Sequence, residues 1–399
     1  MQIFVNNPVQ QTIIFAVIFF AAIFIFFKKS KNESLFPISL TNELKGVAIF
    51  MVIFAHLGYF MFTDTRFLYP FSILAGVGVN LFLFLSGYGL AMSSMKKKLS
   101  PLSFYLKRII KIFIPLWIVI AGFVIIDKIF LNINWPWQDL IKYIFGYYPT
   151  NDLFKDFNSP LWFITLILFY YLVFPFLFFK ERPKVSALLI FIAGLIAVNF
   201  TLPVSPNVSF FYKLHLLAFP LGIFFASLFR RPYFFENENN ENFSMWLNSF
   251  KNPVAKKLLG MFKIKTVTEK LLTSIRSKPF VWRLVSVLIL AVVFVYFAIN
   301  SYVGRGIYLE QLVSLITMFA FIFIFIIKKN DFKILAFLGF ISYEIYLIHW
   351  PIFYRYNFLY NYTPAWLATL IYIILIVVIA WAIAKVSSKI NASLPKNTR

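Results

Sequence analysis

The chain has 399 residues, of which 61% are hydrophobic and only 13% charged, a composition too apolar for a water-soluble globular protein. In a soluble protein the net charge of +23 would indicate a nucleic-acid partner. Here the basic residues cluster between apolar runs, so no nucleic acid is expected. Cysteine is absent, which excludes disulfides, thiolate nucleophiles and cysteine-based metal centres. With only three histidines in the chain, we also expect no metal cofactor.

Eleven apolar runs are long enough to cross a bilayer, and each is predicted to be a helix because backbone groups in lipid must be satisfied internally. The runs lie near residues 9–27, 44–62, 71–93, 109–130, 160–179, 185–202, 212–229, 281–301, 309–327, 335–354 and 365–386. We predict an all-α, polytopic membrane helix bundle embedded in a lipid bilayer. An extra N-terminal transmembrane helix (1–30), retained rather than cleaved, precedes the main transmembrane domain (38–386) and a cytoplasmic tail (387–399).

The basic residues indicate how the chain is oriented in the membrane. Most of the 38 lysines and arginines fall in alternate connections, beginning with the sequence KKSK after the first run. By the positive-inside rule, this distribution places the N-terminus outside and the C-terminus in the cytoplasm. We therefore predict a multi-pass protein of the plasma membrane, specifically a prokaryotic cytoplasmic membrane.

Two long connections differ in character. The basic cytoplasmic connection, 230–280, mixes lysine with apolar residues, which favours either a helix along the membrane interface or a solvated loop. The outward connection, 131–159, is nearly neutral and rich in aromatic residues, Asn and Asp. That composition would suit a lid facing a carbohydrate, although aromatic residues are common at any membrane interface.

The second run carries a lysine near its start and a histidine toward its far end. Lys45 and His56 are eleven residues apart, so a helix places them on one stripe with a rise of roughly 16 Å between them. Ionisable groups inside a membrane are candidates for function because they are costly to bury. The alternative is a neutral His56 bonded to a neighbouring helix, with Lys45 reaching to the membrane surface.

Polar residues also occur in the next two runs. In GVGVNLFLFLSGYGL, Asn80 shares a helix face with Gly76 and Gly87, which predicts close helix packing around a buried amide. Arg108 and Lys111 follow at i,i+3 spacing at the start of the fourth run. Such a pair could hold a phosphate or contact lipid headgroups.

The run 335–354 holds a second histidine and a carboxylate. Ser342, Tyr346 and His349 share one face, whereas Glu344 lies on another face and must be protonated or paired. The third histidine, His215, is expected to pack or to form a hydrogen bond between helices.

Five motifs follow one another in a fixed order. The first is ELKG, which contains Lys45 and is followed by His56 ten residues after its glycine. The others are NLFLFLSGYGL, LKRIIKIFIPLW, SPLWFITLILFYYLVFP and SYEIYLIHWPI. In this order they resemble the acyltransferase-3 family of integral membrane O-acyltransferases, over about residues 38–386 with a ten-helix core. Lys45 and Lys111 stand where arginine is commoner in the family, and lysine lacks the planar bidentate fork of arginine. The SPLWF run also lacks glutamates that some members carry.

The resemblance implies transfer of an acyl group, usually acetyl, from cytoplasmic acyl-CoA to a hydroxyl of an extracytoplasmic or lipid-linked carbohydrate. His56 would be a general base or a transient acyl carrier, oriented by Glu344 or by His349. Alternatively, His349 would hold the acceptor near the outer mouth of the site. The implied residues are His56, Glu344 and His349 for catalysis, Lys45, Arg108 and Lys111 for acetyl-CoA, and Asn80, Tyr346 and Ser342 for the substrate or the oxyanion.

Two other functions fit parts of the sequence. Polar groups within the membrane would also suit a transporter or flippase of a glycan or lipid precursor, or a structural subunit of a glycan-synthesis complex. Some members of the family carry an esterase-like domain after the last helix. Without such a domain, this chain is expected to transfer the acyl group directly or to act with a separate extracytoplasmic transferase or glycan-synthesis protein.

Overall fold

Helices make up nearly all of the regular structure in the computed structural model, which describes residues 3, 5–29, 34–58, 67–96, 100–200, 203–229, 264–300 and 306–393. In chain order the helices are α1 (Pro8–Ile25), α2 (Ile38–Gly58), α3 (Tyr69–Ser72), α4 (Ala75–Lys96), α5 (Pro101–Leu131), α6 (Trp137–Ile144), α7 (Trp162–Leu177), α8 (Pro183–Asn199), α9 (Pro206–Leu214), α10 (Ala218–Leu228), α11 (Ile264–Ser277), α12 (Phe280–Ile299), α13 (Ile307–Ile327), α14 (Lys333–Phe340), α15 (Ser342–Arg355) and α16 (Ala365–Ser393). Two short strands, β1 (Phe27–Lys29) and β2 (Asn330–Phe332), pair antiparallel.

The predicted fold class, a polytopic membrane helix bundle, is confirmed. Among the described residues nine helical segments are long and apolar enough to cross a membrane, and the bent pair α14–α15 would make ten. Helix α8 is apolar but has 17 residues, the lower end of the spanning range. The protein is therefore a multi-pass membrane protein, while the exact number of crossings and their orientation stay predictions.

Two helices begin earlier than the apolar runs indicate. Helix α2 begins at Ile38, directly after Pro37, and helix α5 begins at Pro101. Proline is favoured in the first turn of a helix because its φ angle is already helical and its missing N–H is not needed there. Hydrophobicity marks only the membrane-buried part of a helix, so it missed these polar first turns.

The run 335–354 is not one continuous helix, which corrects the sequence prediction. Helices α14 and α15 meet at an angle of 78° across Ile341. At this break the Ser342 hydroxyl donates a hydrogen bond of 2.9 Å to the Gly339 carbonyl, a local bond that competes with regular helix geometry. The predicted substrate residue Ser342 is therefore used to shape the backbone.

Glycine brings α14 against α2. A Cβ atom added at Gly339 would lie 1.7 Å from the Asn42 carbonyl oxygen, and one added at Gly46 would lie 2.1 Å from the Leu335 carbonyl oxygen. Only glycine permits this contact between two backbones. The contact fixes α14 beside the first half of α2, and the bend then directs α15 toward the far end of α2.

The N-terminal helix α1 packs against α2. The rings of Phe15 and Phe19 in α1 contact Phe54, and Phe19 also contacts Phe50, with centroid distances of 4.8–5.5 Å. The division into a separate helix (1–30) and a core domain stays a prediction. In the long basic connection, residues 230–263 lie outside the described residues, and α11 forms the rest of it.

Candidate functional site

The two histidines of the predicted site are in direct contact. His56 lies at the C-terminal end of α2, and its Nδ1 atom is 2.8 Å from Nε2 of His349 in α15. The His349 side chain is fully buried, whereas His56 is partly buried. Residues 293 positions apart therefore form one hydrogen-bonded pair, and the rings lie nearly parallel, 10° between planes.

A backbone carbonyl determines which nitrogen atoms carry the protons. The Tyr346 carbonyl can only accept, so the His349 Nδ1, 2.7 Å away, must be the donor. With both imidazoles neutral, His349 Nε2 is then the acceptor of a proton on His56 Nδ1. The relay leaves a lone pair on Nε2 of His56, the atom that a general base or a nucleophile needs.

Neighbouring aromatic residues hold this relay in place. The Trp350 ring meets the His56 ring edge-on, with a centroid distance of 5.1 Å. The Tyr346 hydroxyl donates to the Pro160 carbonyl, which ties α15 to the short 3-10 turn Ser159–Leu161 before α7. Tyr346 thus acts through its carbonyl on His349, while its hydroxyl is used in packing.

The three predicted cofactor-binding cations are brought together. Lys45 is half-buried in α2 and interacts electrostatically with Arg108 and Lys111 of α5. The Arg108 guanidinium lies between the rings of Phe104 and Tyr171, 5.5 and 5.4 Å from their centroids. Its Nε atom is buried and has no hydrogen-bond partner among the described residues. Three cations that act on one another electrostatically could together attract a polyanion.

The predicted carboxylate lies elsewhere. Glu344 points into a cavity of about 280 Å³ that is also lined by Lys111 of α5 and Lys385 of α16. His349, rather than Glu344, makes the hydrogen bond that orients His56. Both residues are in α15, and their spacing of five positions places them on different faces of that helix.

The predicted amide is engaged in helix packing. Asn80 of α4 is fully buried, donates to the Ser314 hydroxyl at 2.8 Å and accepts from Nδ1 of His215 at 2.8 Å. His215 therefore forms an interhelical hydrogen bond, as the sequence analysis expects. Close packing on the same face is seen at Gly87, where an added Cβ would lie 2.2 Å from the Phe219 carbonyl oxygen.

Comparison with known proteins identifies the family. The model of a family described as an acyltransferase domain, the acyltransferase-3 family, matches residues 42–385, which is most of the chain. The chain belongs to the acyltransferase-3 family. Searches of curated proteins and of solved structures gave no significant match. The protein is therefore a membrane acyltransferase, and the family predicted from the sequence is confirmed.

Proline shapes α15, the helix that carries His349, in a way that was not predicted from the sequence. Pro351 has no N–H, so it cannot bond the Leu347 carbonyl four residues earlier. The buried Asn158 side chain donates to that carbonyl instead, at 2.8 Å. The outward connection 131–159 is thereby anchored one turn from His349. The proline in IHWPI was the signal that an outside donor was needed.

A buried ion pair was also missed. Arg355, at the end of α15, contacts the Asp127 carboxylate of α5 at 3.0 Å, and both side chains are at most 4% exposed. Tyr356 and Trp135 donate to the same carboxylate at 2.7 and 2.9 Å, and Arg355 also donates to the Phe157 carbonyl. This cluster connects α5, α15 and the outward connection.

We expect Asn158→Ala to lower the free energy of unfolding by about 1–3 kcal/mol, because the Leu347 carbonyl would be buried without a donor. In a Pro351→Ala background the loss should shrink to less than half, since the new N–H at position 351 can bond Leu347. Thermal unfolding of the four proteins in detergent measures the coupling. Equal losses of stability in both backgrounds would contradict the assignment of Asn158 as the donor that replaces the missing N–H of Pro351.

Proposed function

We propose that this acyltransferase transfers an acetyl group from cytoplasmic acetyl-CoA to a hydroxyl of an extracytoplasmic or lipid-linked carbohydrate, with His56 as the general base. The observation that carries the proposal is the relay from the Tyr346 carbonyl through His349 to His56. The relay supports a neutral His56 whose unprotonated Nε2 atom faces away from His349. A single imidazole with a fixed tautomer is the usual device for activating a hydroxyl near neutral pH.

The chemistry then follows in two steps. His56 Nε2 takes the proton of the acceptor hydroxyl as its oxygen attacks the thioester carbonyl carbon. The tetrahedral intermediate collapses, the carbon–sulfur bond breaks, and the proton passes from His56 to the leaving CoA thiolate. His349 stabilises the imidazolium by retaining its acceptor contact with His56 Nδ1–H. If His56 instead carries the acetyl group transiently, the same lone pair attacks the thioester carbon and the CoA thiolate leaves. The acceptor hydroxyl then attacks the acetyl carbon, the bond to Nε2 breaks, and the hydroxyl proton passes to the thiolate.

The cationic cluster supports CoA as the donor. CoA carries several phosphate charges, and Lys45 and Arg108 offer donors for them, while Lys111 lines the cavity of Glu344. The rise along α2 from Lys45 to His56 is roughly 16 Å, a span suited to the narrow pantetheine arm between the phosphates and the thioester. The buried Nε of Arg108 offers one further donor to an anion.

The oxyanion and the acceptor hydroxyl must be bound by groups other than the three residues predicted from the sequence. The donors of Asn80, Tyr346 and Ser342 already serve bonds within the protein. Lys45 lies roughly 16 Å along α2 from His56, so the cationic cluster at the phosphate end is too distant to stabilise the oxyanion. The acceptor would approach beneath the outward connection, which Asn158 and Arg355 hold against α15. For an acceptor far from the membrane, the proposed partner is a separate extracytoplasmic transferase.

The experiment that tests this proposal uses sealed membrane vesicles and acetyl-CoA labelled in its acetyl group. Because acetyl-CoA does not cross membranes, inside-out vesicles should transfer label to membrane-associated glycan, and right-side-out vesicles should not. Vesicles without the protein provide the background. Labelling of right-side-out vesicles alone would contradict a cytoplasmic donor, and labelled lipid without labelled glycan would contradict a carbohydrate acceptor.

Arg108→Gln should raise KM for acetyl-CoA by about tenfold or more with kcat little changed, because a phosphate contact made equally in ground and transition states would be lost. Lys107→Gln is the matched control, since Lys107 is an exposed cation beside Arg108 on the same helix. Steady-state kinetics in inside-out vesicles measure both. A fall in kcat at unchanged KM would remove Arg108 from donor binding.

A further inference from the structure

A cavity of about 280 Å³ lies between α5, the α14–α15 bend and the last turns of α16, apart from the histidine relay. One wall is apolar and the other is polar. The lining residues that matter here are Lys111, Glu344, Trp381, Lys385, Ser387 and Asn391. A cavity with one apolar wall and a few convergent polar groups is the usual form of a small-molecule site.

The polar wall is built to contact a ligand. The Lys385 ammonium lies 3.7 Å from the centroid of the Trp381 ring, a cation–π contact that fixes its position. The Ser387 hydroxyl is buried and has no hydrogen-bond partner among the described residues. Buried polar groups are normally satisfied, so this hydroxyl is an unused hydrogen-bonding group in the wall of the cavity.

The cavity lies at the level of the membrane surface. Helices α5 and α16 have 31 and 29 residues, several turns more than the roughly 20 that cross the hydrocarbon layer. The cavity residues Lys111 and Lys385 are in the polar ends of these two helices, beside exposed apolar side chains such as Ile109 and Trp381. A molecule in the lipid layer can therefore present its headgroup here.

We propose that this cavity binds the headgroup of a glycerophospholipid. Its phosphodiester would lie between Lys111 and Lys385, and an ammonium or hydroxyl substituent would donate to Glu344. The Glu344 carboxylate disfavours binding of the acyl-CoA phosphates in this cavity, because it would repel a ligand with several negative charges. The volume also decides against whole CoA, since the cavity is at the lower limit of the roughly 300–1,000 Å³ of drug-sized ligand sites.

The binding of single lipids to the purified full-length protein tests this inference, measured by native mass spectrometry in detergent. Phosphatidylethanolamine and phosphatidylglycerol should bind about tenfold more tightly than phosphatidylcholine, whose trimethylammonium has no N–H to donate. Lys385→Gln should weaken all three lipids about tenfold. Glu344→Gln should reduce the preference of the protein for phosphatidylethanolamine and phosphatidylglycerol over phosphatidylcholine. Lys389→Gln, an exposed lysine one turn further along α16, is the control and should change nothing.

Three outcomes would overturn the inference: equal affinity of the wild-type protein for phosphatidylethanolamine and phosphatidylcholine, equal loss in Lys385→Gln and Lys389→Gln, or displacement of the lipid by acetyl-CoA. The last outcome would assign the cavity to the donor. The first two outcomes leave acetyl transfer by His56 untouched, so this inference and the proposed function can fail separately. Lys385 is exposed enough that its replacement should not prevent folding.

Discussion

Replacing His56 with alanine should reduce acetyl transfer by about 10²–10⁴-fold, the contribution that a general base makes in enzymes. The acceptor hydroxyl would then have to lose its proton without a base while it attacks the thioester. If His56 carries the acetyl group instead, the loss would be complete. Initial rates with labelled acetyl-CoA in inside-out vesicles, normalised to the amount of folded protein, measure the effect.

His215, the histidine that bonds Asn80 between helices, provides the matched control for His56. His215→Asn keeps a donor for the Asn80 carbonyl oxygen and lies outside the relay, so its rate per folded molecule should stay within about twofold of wild type, even if its stability falls. A His56→Ala protein that retained more than a tenth of the wild-type rate would remove His56 from the chemical step.

Asp127→Ala should lower the free energy of unfolding by about 3–5 kcal/mol, because it leaves the buried guanidinium of Arg355 without its counter-charge. Tyr356 and Trp135 would lose their acceptor in the same change. The outward connection should loosen, since Arg355 also holds the Phe157 carbonyl. Thermal unfolding in detergent measures the loss of stability.

The double variant Asp127→Leu with Arg355→Leu separates charge from packing. Replacing both members of a buried pair by apolar residues avoids an uncompensated charge, so the double variant should be more stable than Asp127→Ala alone. A double variant as unstable as the single one would show that shape, rather than the unpaired charge, controls the effect.

The fold was largely predictable from the sequence because lipid imposes a simple rule. Each long apolar run has to be helical, so the long helices of the bundle were found, whereas short helices such as α3 and α6 were not. The bend at Ile341 was not predictable, since it depends on Gly339 meeting the backbone of α2, a contact between residues far apart in the chain. That bend decides which face of α15 meets His56.

The candidate site was predictable in its residues but not in its connections. The spacing of Lys45 and His56 indicated one polar stripe, yet the choice between Glu344 and His349 as the partner of His56 depended on the bend. The pairing of Asp127 with Arg355 joins positions 228 residues apart. Hydrophobic periodicity carries no information about contacts of this kind.

The most direct test of the relay compares His349→Ala with His349→Gln. The glutamine carbonyl can replace Nε2 as the acceptor for His56 Nδ1–H, whereas alanine cannot. We expect His349→Ala to lose about 10²-fold or more of the transfer rate and His349→Gln to recover at least about a tenth of the wild-type rate, with similar KM for acetyl-CoA in both. Equal rates for the two variants at equal stability would contradict a relay that acts by fixing the His56 tautomer.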